Sequence, residues 1–230
     1  MKRLALKKQK NIAIIPARGG SKRLPGKNIK LLDGLPLIVH SINFAKENLG
    51  IIDKIVVSTD HDEIKKIAKT NGAEVIDRPL ELAQDLTSTL EVLHHIMDEL
   101  DEQYDNVILL QPTNPLRPQH LLENAYSDYL KGNFNSLMTV TRNHQKFGKI
   151  KDSRFVPFNY KMGERSQDLE PLYFENGLLY IVKAEIIKNG ELLAPNNCAY
   201  VIDHLWAKVD IDTLDDFEYA EFLMKKENRK

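Results

Sequence analysis

A long basic loop follows the first apolar run of the sequence, and its residue types suit the binding of a polyanion. The loop reads ARGGSKRLPGKNIKLLDGL from residue 17 to residue 35, whereas a connection from a strand to a helix usually has about 2–6 residues. Backbone N–H groups of such glycine-containing loops, together with cations, hold phosphates above parallel sheets. A solvated basic loop is the alternative. Residues 17–30 contain no acidic residue and five basic ones, which are Arg18, Lys22, Arg23, Lys27 and Lys30.

This loop departs from two familiar phosphate-binding motifs. A P-loop, GxxxxGK[ST], requires a glycine at position 21, where Ser21 stands, and a hydroxyl residue at position 28, where Asn28 stands. The paired Gly19 and Gly20 do not form the GxGxxG of dinucleotide-binding folds. A nicotinamide-dependent oxidoreductase is therefore disfavoured.

Two aspartates near the end of the sequence have the spacing of a divalent-cation site. Asp210 and Asp212 of the VDID segment would project to the same side of an extended chain, and carboxylate pairs hold Mg²⁺ that also contacts phosphates. The alternative is that Asp212 caps the final helix, because Thr213, Asp215 and Asp216 favour a helix N-terminus there.

A third polar group, QPTNPLR at residues 111–117, follows a short apolar run. Gln111, Thr113 and Arg117 would then lie at the carboxyl end of a buried strand, where α/β sheets bind ligands. Its two prolines indicate a rigid turn. An ordinary surface loop is the alternative.

The scaffold for these groups is predicted from the spacing of apolar residues, which alternates between short runs and helical periods. Such alternation predicts βαβ units and a three-layer α/β fold with a mostly parallel sheet. Between about residues 143 and 171 the chain is polar with scattered aromatics, which predicts an inserted hairpin or arm. We expect strands at 11–16, 54–58, 73–76, 107–110, 136–141, 177–182 and about 199–202, and helices at 36–48, 61–71, 87–101, 118–131, 184–188 and 213–226.

Composition excludes several classes of protein. The 230 residues include 32 basic and 33 acidic ones, a net charge of −1 that argues against a nucleic-acid binder, and 42% hydrophobic residues, too many for a disordered chain. The lone Cys198 suits a reducing compartment. No run reaches the roughly 20 apolar residues of a membrane span, and the basic start lacks the apolar core of a signal peptide. We expect a cytoplasmic protein with a basic extension at 1–10 and one domain at 11–230.

The motifs together resemble those of the CMP-sialic acid synthetases, the acylneuraminate cytidylyltransferases. Seven segments occur in the order in which that family has them. They are IPARGGSKRLPGKNI at 15–29, VVSTD at 56–60, GAEVIDRP at 72–79, LAQDLTST at 82–89, LLQPTNPLR at 109–117, ENGLLY at 175–180 and VDIDT at 209–213.

The resemblance implies a Rossmann-like sheet of the nucleotide-diphospho-sugar transferase type, with a small dimerisation arm. It further implies a Mg²⁺-dependent homodimer that joins CTP to an acylneuraminate or related acid and releases pyrophosphate. The catalytic residues would be Arg18, Lys27 and Asp212. The metal ligands would be Asp210 and Asp212. Nucleotide-binding residues would be Arg18, Gly20, Ser21, Lys22, Lys27, Asn28, Arg78, Ser88 and Thr89, and sugar-binding residues Gln111, Thr113, Arg117, Arg165 and Tyr180.

Some of these assignments have alternatives. Asn114 replaces the serine that is usual in the family. The segment ERSQDLEP at 164–171 keeps only Arg165 of a usual arginine pair, so the alignment of this segment with the family motif is open. Tyr180 fits a core position as well, and Asp85 or Thr87 fits the N-cap of the next helix. The alternatives to the whole assignment are a CMP-Kdo synthetase-like enzyme, which usually has proline where Asn28 stands, and a non-catalytic nucleotide-binding protein.

Overall fold

A seven-stranded sheet forms the centre of the protein, whose structure is a computed structural model that describes residues 8–227. The strands are β1 (Asn11–Pro16), β2 (Leu31–Leu32), β3 (Leu35–Pro36), β4 (Lys54–Thr59), β5 (Glu74–Asp77), β6 (Asn106–Leu109), β7 (Ser136–Asn143), β8 (Gly148–Lys151), β9 (Arg154–Pro157), β10 (Leu172–Lys183) and β11 (Asn197–Val201). The helices are α1 (Leu37–Glu47), α2 (Asp62–Thr70), α3 (Thr89–Glu99), α4 (Leu121–Lys131), α5 (Ala184–Lys188) and α6 (Leu214–Glu227).

The sheet order is β11-β7-β10-β6-β1-β4-β5, and β10 alone among its strands runs antiparallel to its neighbours within the described residues. At the centre, Ile14 of β1 stands opposite Val56 of β4 and Leu109 of β6. Parallel strands in the middle of a sheet are covered on both faces, which explains the unbroken apolar run of β1. The predicted mostly parallel α/β sheet is confirmed.

Helices cover both faces of the sheet. Ala13 and Ile15 of β1 pack in the cluster that contains α1, α2 and α4, while Ile12 and Ile14 pack in the cluster of α3 and α5. The alternation follows from the two-residue period of a strand. These clusters give the three predicted layers.

A third apolar cluster joins the basic loop to the end of the chain. Phe217 of α6 is buried with Leu24 and Leu32 of the loop and with Val209 and Ile211 of the VDID segment. Burial of these side chains fixes the two oppositely charged stretches against each other.

A hairpin of β8 and β9 occupies the stretch where the sequence predicts an inserted arm. Asp152 and Ser153 form its two-residue turn with φ of 47° and 62°, a left-handed conformation that glycine, asparagine and aspartate adopt most readily. Phe155 and Phe158 are exposed on it. Dimerisation through this arm stays a prediction.

Two features differ most from the expectations. The basic loop contains a small β2–β3 hairpin with Asp33 and Gly34 at its turn. This hairpin is absent from the expected elements, even though Asp-Gly is a known hairpin signal. The last inner strand, β10, starts five residues earlier than predicted. Most of the expected extension at 1–10 lies outside the described residues. Within residues 8–227, no helix combines the length and apolarity needed to cross a membrane.

Candidate active site

The basic loop is attached at its start to the neighbouring strand β4. The backbone N–H of Ala17 donates to the carbonyl of Ser58 at 2.9 Å, and that of Gly19 donates to the Asp60 carboxylate at 2.8 Å. A Cβ atom at Gly19 would lie 2.7 Å from the ring of His61, so a glycine is required for this close approach.

The end of the loop is attached to the VDID segment through Lys27. Its buried ammonium donates to the carbonyl of Ile211 at 2.8 Å and to the Asp212 carboxylate at 2.9 Å. Arg23 donates to the other oxygen of Asp212 at 2.5 Å. The basic and acidic stretches of the sequence therefore meet at one edge of the sheet.

Two further loop cations, Arg18 and Lys22, pair with the carboxylate of Asp85. The Arg18–Asp85 distance is 2.8 Å, and Lys22 contacts the second carboxylate oxygen. These partners, Lys22 first, lower the pKa of the Asp85 carboxyl group below its ordinary value. Asp85 thus acts as a counterion to the loop.

The N-terminus of α3 faces the same loop. Ser88 accepts a hydrogen bond from the N–H of Glu91, and Glu91 accepts one from the N–H of Ser88, which is a complete capping box. The alternative that Asp85 or Thr87 caps this helix is therefore wrong. The partial positive charge of the helix end adds to the charge of the loop.

These elements surround a cavity of about 440 Å³. Eight of the nine predicted nucleotide residues line it, whereas at Gly20 an added Cβ would meet open space. The cavity is lined by Pro16, Arg18, Ser21, Lys22, Arg23, Lys27, Asn28, Arg78, Leu82, Gln84, Asp85, Thr87, Ser88, Thr89, Val92, Gln111, Pro112, Thr113 and Asp212.

Arg78 forms the part of this cavity that follows β5. Its guanidinium donates to the hydroxyl of Ser58 at 3.2 Å and to the Ser58 carbonyl at 2.9 Å. Burial lowers the pKa of Arg78 to about 10, with Asp60 opposing this effect, so the side chain stays charged at neutral pH.

A second cavity, of about 550 Å³, adjoins the first. The two share Gln111, Thr113 and Asp212, so a molecule in each would meet at these three residues. The second cavity is lined by Gln111, Thr113, Asn114, Phe174, Glu175, Asn176, Gly177, Tyr180, Ala207, Lys208, Val209, Asp210 and Asp212.

Asp210 and Asp212 project from the segment between the cavities. The intervening Ile211 is buried, and its N–H donates to the carbonyl of Thr113 at 2.8 Å, which anchors the segment. Asp210 is an exposed residue overall, but its carboxyl group is partly buried, and this burial raises the pKa of Asp210. A hydrogen bond with Thr113 lowers that pKa, and the neighbouring charge of Asp212 raises it further. Two carboxylates so placed offer hard oxygen ligands to a divalent cation.

Helix α6 has its own cap, which resolves the alternative for Asp212. The N–H of Asp216 donates to the hydroxyl of Thr213 at 3.3 Å, and the N–H of Thr213 donates to the Asp216 carboxylate at 2.8 Å. The alternative that Asp212 caps this helix is wrong, because its carboxylate is held by the loop cations.

Asn114 lines the second cavity and connects two of the segments that form it. Its buried amide donates to the carbonyls of Asn176 and Val209, both at 3.0 Å. An added Cβ at Gly177, where φ is +74°, would lie 2.5 Å from the Asn114 side-chain oxygen. Asn114 therefore ties β10 to the VDID segment, a role that the sequence did not indicate.

Arg117 does not match the prediction that it binds the sugar. Its buried guanidinium donates to the carbonyl of Leu178 at 2.7 Å, to the hydroxyl of Ser41 at 3.1 Å and to the carbonyl of Gln111 at 2.9 Å. Burial lowers the pKa of Arg117 to about 9. The residue stabilises the loop that carries Gln111 instead of lining either cavity.

Replacing Arg117 by lysine should therefore weaken folding. We expect Arg117→Lys to lower the free energy of unfolding by about 2–4 kcal/mol, because an ammonium cannot reach three separated acceptors in a buried site. Urea denaturation followed by circular dichroism measures this loss. The exposed Arg154→Lys is the matched control, and equal stability of the two variants would contradict the bracing role.

The other predicted sugar residues divide into two groups. Gln111, Thr113 and Tyr180 line the second cavity, where the Tyr180 hydroxyl donates to Glu175 and burial raises the tyrosine pKa. Arg165 instead lies on the exposed arm and pairs with Asp168 at 2.7 Å. The prediction that Arg165 binds the sugar thus has no support within a single chain.

Comparison with known proteins identifies the family to which this chain belongs. The family model described as cytidylyltransferase matches residues 12–227, nearly the whole chain. The chain belongs to this cytidylyltransferase family. It is 36% identical to the CMP-N,N'-diacetyllegionaminic acid synthase of Legionella pneumophila, with 93% of this chain and 96% of that protein covered. It is 34% identical to a pseudaminic acid cytidylyltransferase of Campylobacter jejuni, with 94% and 97% covered.

The fold of this cytidylyltransferase also has relatives among solved structures. A CMP:2-keto-3-deoxy-manno-octonic acid synthetase complexed with CTP matches with a TM-score of 0.72 at 18% identity, over 95% of this chain and 99% of that one. The nucleotide-diphospho-sugar transferase fold expected from the motifs is thereby confirmed.

Proposed function

We propose that this cytidylyltransferase activates a sialic-acid-like nonulosonic acid: CTP and the acid give the CMP-sugar and pyrophosphate. The observation that carries this proposal is the pair of adjoining cavities. The one beside the basic loop suits a nucleoside triphosphate, the other suits a sugar acid, and Asp212 lies at their junction.

Binding of CTP would exchange counterions within the first cavity. Arg18 and Lys22 leave Asp85 for phosphate oxygens, and Lys27 stays beside Asp212, close to where charge develops on the departing pyrophosphate. The N-terminus of α3 at Ser88 and Thr89 adds its partial positive charge, while the N–H of Ser88 stays bonded to Glu91. Such preorganised positive charge provides most of the catalysis in phosphoryl and nucleotidyl transfer.

Asp210 and Asp212 are the residues that would hold Mg²⁺. Within residues 8–227, no group of three or more His, Cys, Asp and Glu side chains comes together as a cation site, so water and phosphate oxygens would complete the coordination. That arrangement is usual for Mg²⁺, which binds through one or two carboxylates and the substrate. A bound Mg²⁺ ion neutralises phosphate charge and lowers the pKa of a nearby hydroxyl.

The chemical step is an in-line substitution at the α-phosphorus of CTP. The anomeric hydroxyl oxygen of the acid forms the new O–P bond and its proton passes to water, while the bond to pyrophosphate breaks and pyrophosphate leaves. Gln111, Thr113 and Tyr180 would orient the acid, and Arg78 and Asn28 the nucleotide. Correct placement of the two reactants removes much of the entropic barrier.

The test is pyrophosphate release across a panel of acids. We expect turnover with CTP, Mg²⁺ and at least one of N-acetylneuraminate, its deaminated analogue, legionaminate and pseudaminate, and little turnover with ATP, GTP or UTP. Turnover of Kdo alone would favour a CMP-Kdo synthetase-like enzyme. Tight binding of CTP without turnover of any acid would favour a non-catalytic nucleotide-binding protein.

The protein is further proposed to act as a cytoplasmic homodimer. The arm exposes Ile150, Phe155 and Phe158, apolar side chains that a second copy would bury. Light scattering coupled to size exclusion should give about twice the chain mass of 26.4 kDa. Deletion of β8 and β9 should give the monomer.

A further inference from the structure

The side chain of Asn114 joins the three segments that meet at the second cavity. Asn114 belongs to the 111–117 loop, and its amide donates to the carbonyl of Asn176 in β10 and to the carbonyl of Val209 in the VDID segment. A primary amide has two N–H protons, so both donors of Asn114 are used. Because all three residues are buried, loss of one donor would leave a carbonyl without this partner.

The bond to Val209 acts on the backbone of Asp210. The carbonyl of Val209 belongs to the peptide unit that leads into Asp210, so the Asn114 amide fixes the peptide from which that side chain projects. Asp212 is held differently, because its carboxylate pairs with Lys27 and Arg23. The two aspartates of the VDID segment therefore depend on different supports.

A second connection runs through the side chain of Thr113. Its hydroxyl lies 3.1 Å from the side-chain oxygen of Asn114, and it also forms a hydrogen bond with the carboxyl group of Asp210. A hydroxyl has one proton, so Thr113 donates to one of these acceptors at a time. The Asn114 amide, the Thr113 hydroxyl and the Asp210 carboxylate thus form one connected polar group.

These two connections give Asn114 a role beyond the packing of the cavity wall. We propose that Asn114 is a positioning residue that holds the Asp210 carboxylate where it binds Mg²⁺, an inference that rests on the proposed function. Residues that orient a metal ligand change metal affinity or activity by about 10–100-fold when they are replaced. Loss of the Asn114 amide should therefore resemble part of the effect of losing Asp210.

The experiment measures how strongly Mg²⁺ tightens CTP binding when Asn114 is replaced. Isothermal titration calorimetry without any acid gives the Kd of CTP in the absence and in the presence of Mg²⁺, and the ratio of the two values reports how well the site holds the ion. Asn114→Ser keeps only one of the two donors and should lower this ratio by about 10-fold. The Kd without Mg²⁺ should stay close to that of the wild type.

The matched control is Asn106→Ser at the opposite end of β6. Asn106 is also buried, and its amide also donates two hydrogen bonds. We expect this variant to lose stability with no change in the ratio. Excess Mg²⁺ should restore most of the turnover of Asn114→Ser, a rescue that a folding defect would not show.

A double-mutant cycle tests whether Asn114 acts through Asp210. In the Asp210→Asn background, the further change Asn114→Ser should have little effect on the ratio. If Asn114→Ser does not fold, Thr113→Val removes the connecting hydroxyl with little change of shape and should itself lower the ratio.

Three results would count against these proposals. An unchanged ratio in folded Asn114→Ser, or an equal loss with and without Asp210, would overturn the inference and leave the proposed function standing. A wild type whose CTP binding is not tightened by Mg²⁺ would overturn the inference as well. Failure of the wild type to turn over any acid would overturn the proposed function, and with it the role given to the ion.

Discussion

Replacement of Lys27 by methionine should lower kcat by at least about 10²–10³-fold, the usual effect of removing one preorganised donor to developing charge. Lys27 is the buried cation of the basic loop, and its ammonium lies 2.9 Å from Asp212 at the junction of the cavities. Neither Arg18 nor Lys22 replaces it, because both lie on the Asp85 side of the loop. Pyrophosphate release at saturating CTP and acid measures the effect.

Methionine is the appropriate replacement because it keeps the buried volume. Alanine would also open space next to Ile211 and mix a packing loss with the loss of charge. The matched control is Lys30→Met, a change to an exposed lysine of the same loop that lies over the ring of Phe217. If Lys27→Met kept near-normal turnover with native circular dichroism, the assignment of Lys27 to catalysis would be wrong.

The fold follows from local patterns in the sequence. The unbroken apolar run of β1 and the helical period of α3 depend on residues close together in the chain, so their ends are predicted within a few residues. The capping box of Ser88 and Glu91 is equally local. In the sequence, Ser88, Asp85 and Thr87 are all suitable N-cap residues for α3. The structure shows that Ser88 is the N-cap.

The charge pattern illustrates what composition conceals. The net charge of −1 combines five basic and no acidic residues at 17–30 with six acidic residues and one basic residue at 203–218. The structure joins these stretches through Lys27, Arg23 and Asp212. A near-neutral total is therefore compatible with a strongly charged site, and it argues only against a polymeric anion as partner.

Residues with distant partners could not be assigned from sequence. Arg117 belongs to a motif at a strand end, which suggested ligand binding, yet its guanidinium bonds Leu178, 61 residues away. Asn114 bonds the carbonyl of Val209, 95 residues away. The Arg117 contact depends on the antiparallel placement of β10, and the Asn114 contact depends on the packing of the VDID segment against the 111–117 loop. The alternation of strands and helices reveals neither arrangement.

Asp210→Asn and Asp212→Asn should both lower turnover by more than about 100-fold and raise the Mg²⁺ concentration needed for half-maximal rate. An asparagine supplies one neutral oxygen where the carboxylate supplies charge, and even indirect changes at metal sites cost about 10–100-fold in affinity or activity. Rates are measured over a Mg²⁺ titration. The control is Asp215→Asn, which neutralises an exposed carboxylate in the first turn of α6.

The two variants should differ in stability, which separates their structural roles. Asp212→Asn leaves the buried Lys27 ammonium without its carboxylate, so without Mg²⁺ the free energy of unfolding should fall by about 1–3 kcal/mol. Asp210 has a raised pKa in the folded chain, so its ionised form disfavours folding at neutral pH, and Asp210→Asn should leave stability unchanged or increased. Equal destabilisation by both would contradict the surroundings described for Asp210, since only Asp212 has two cations to lose.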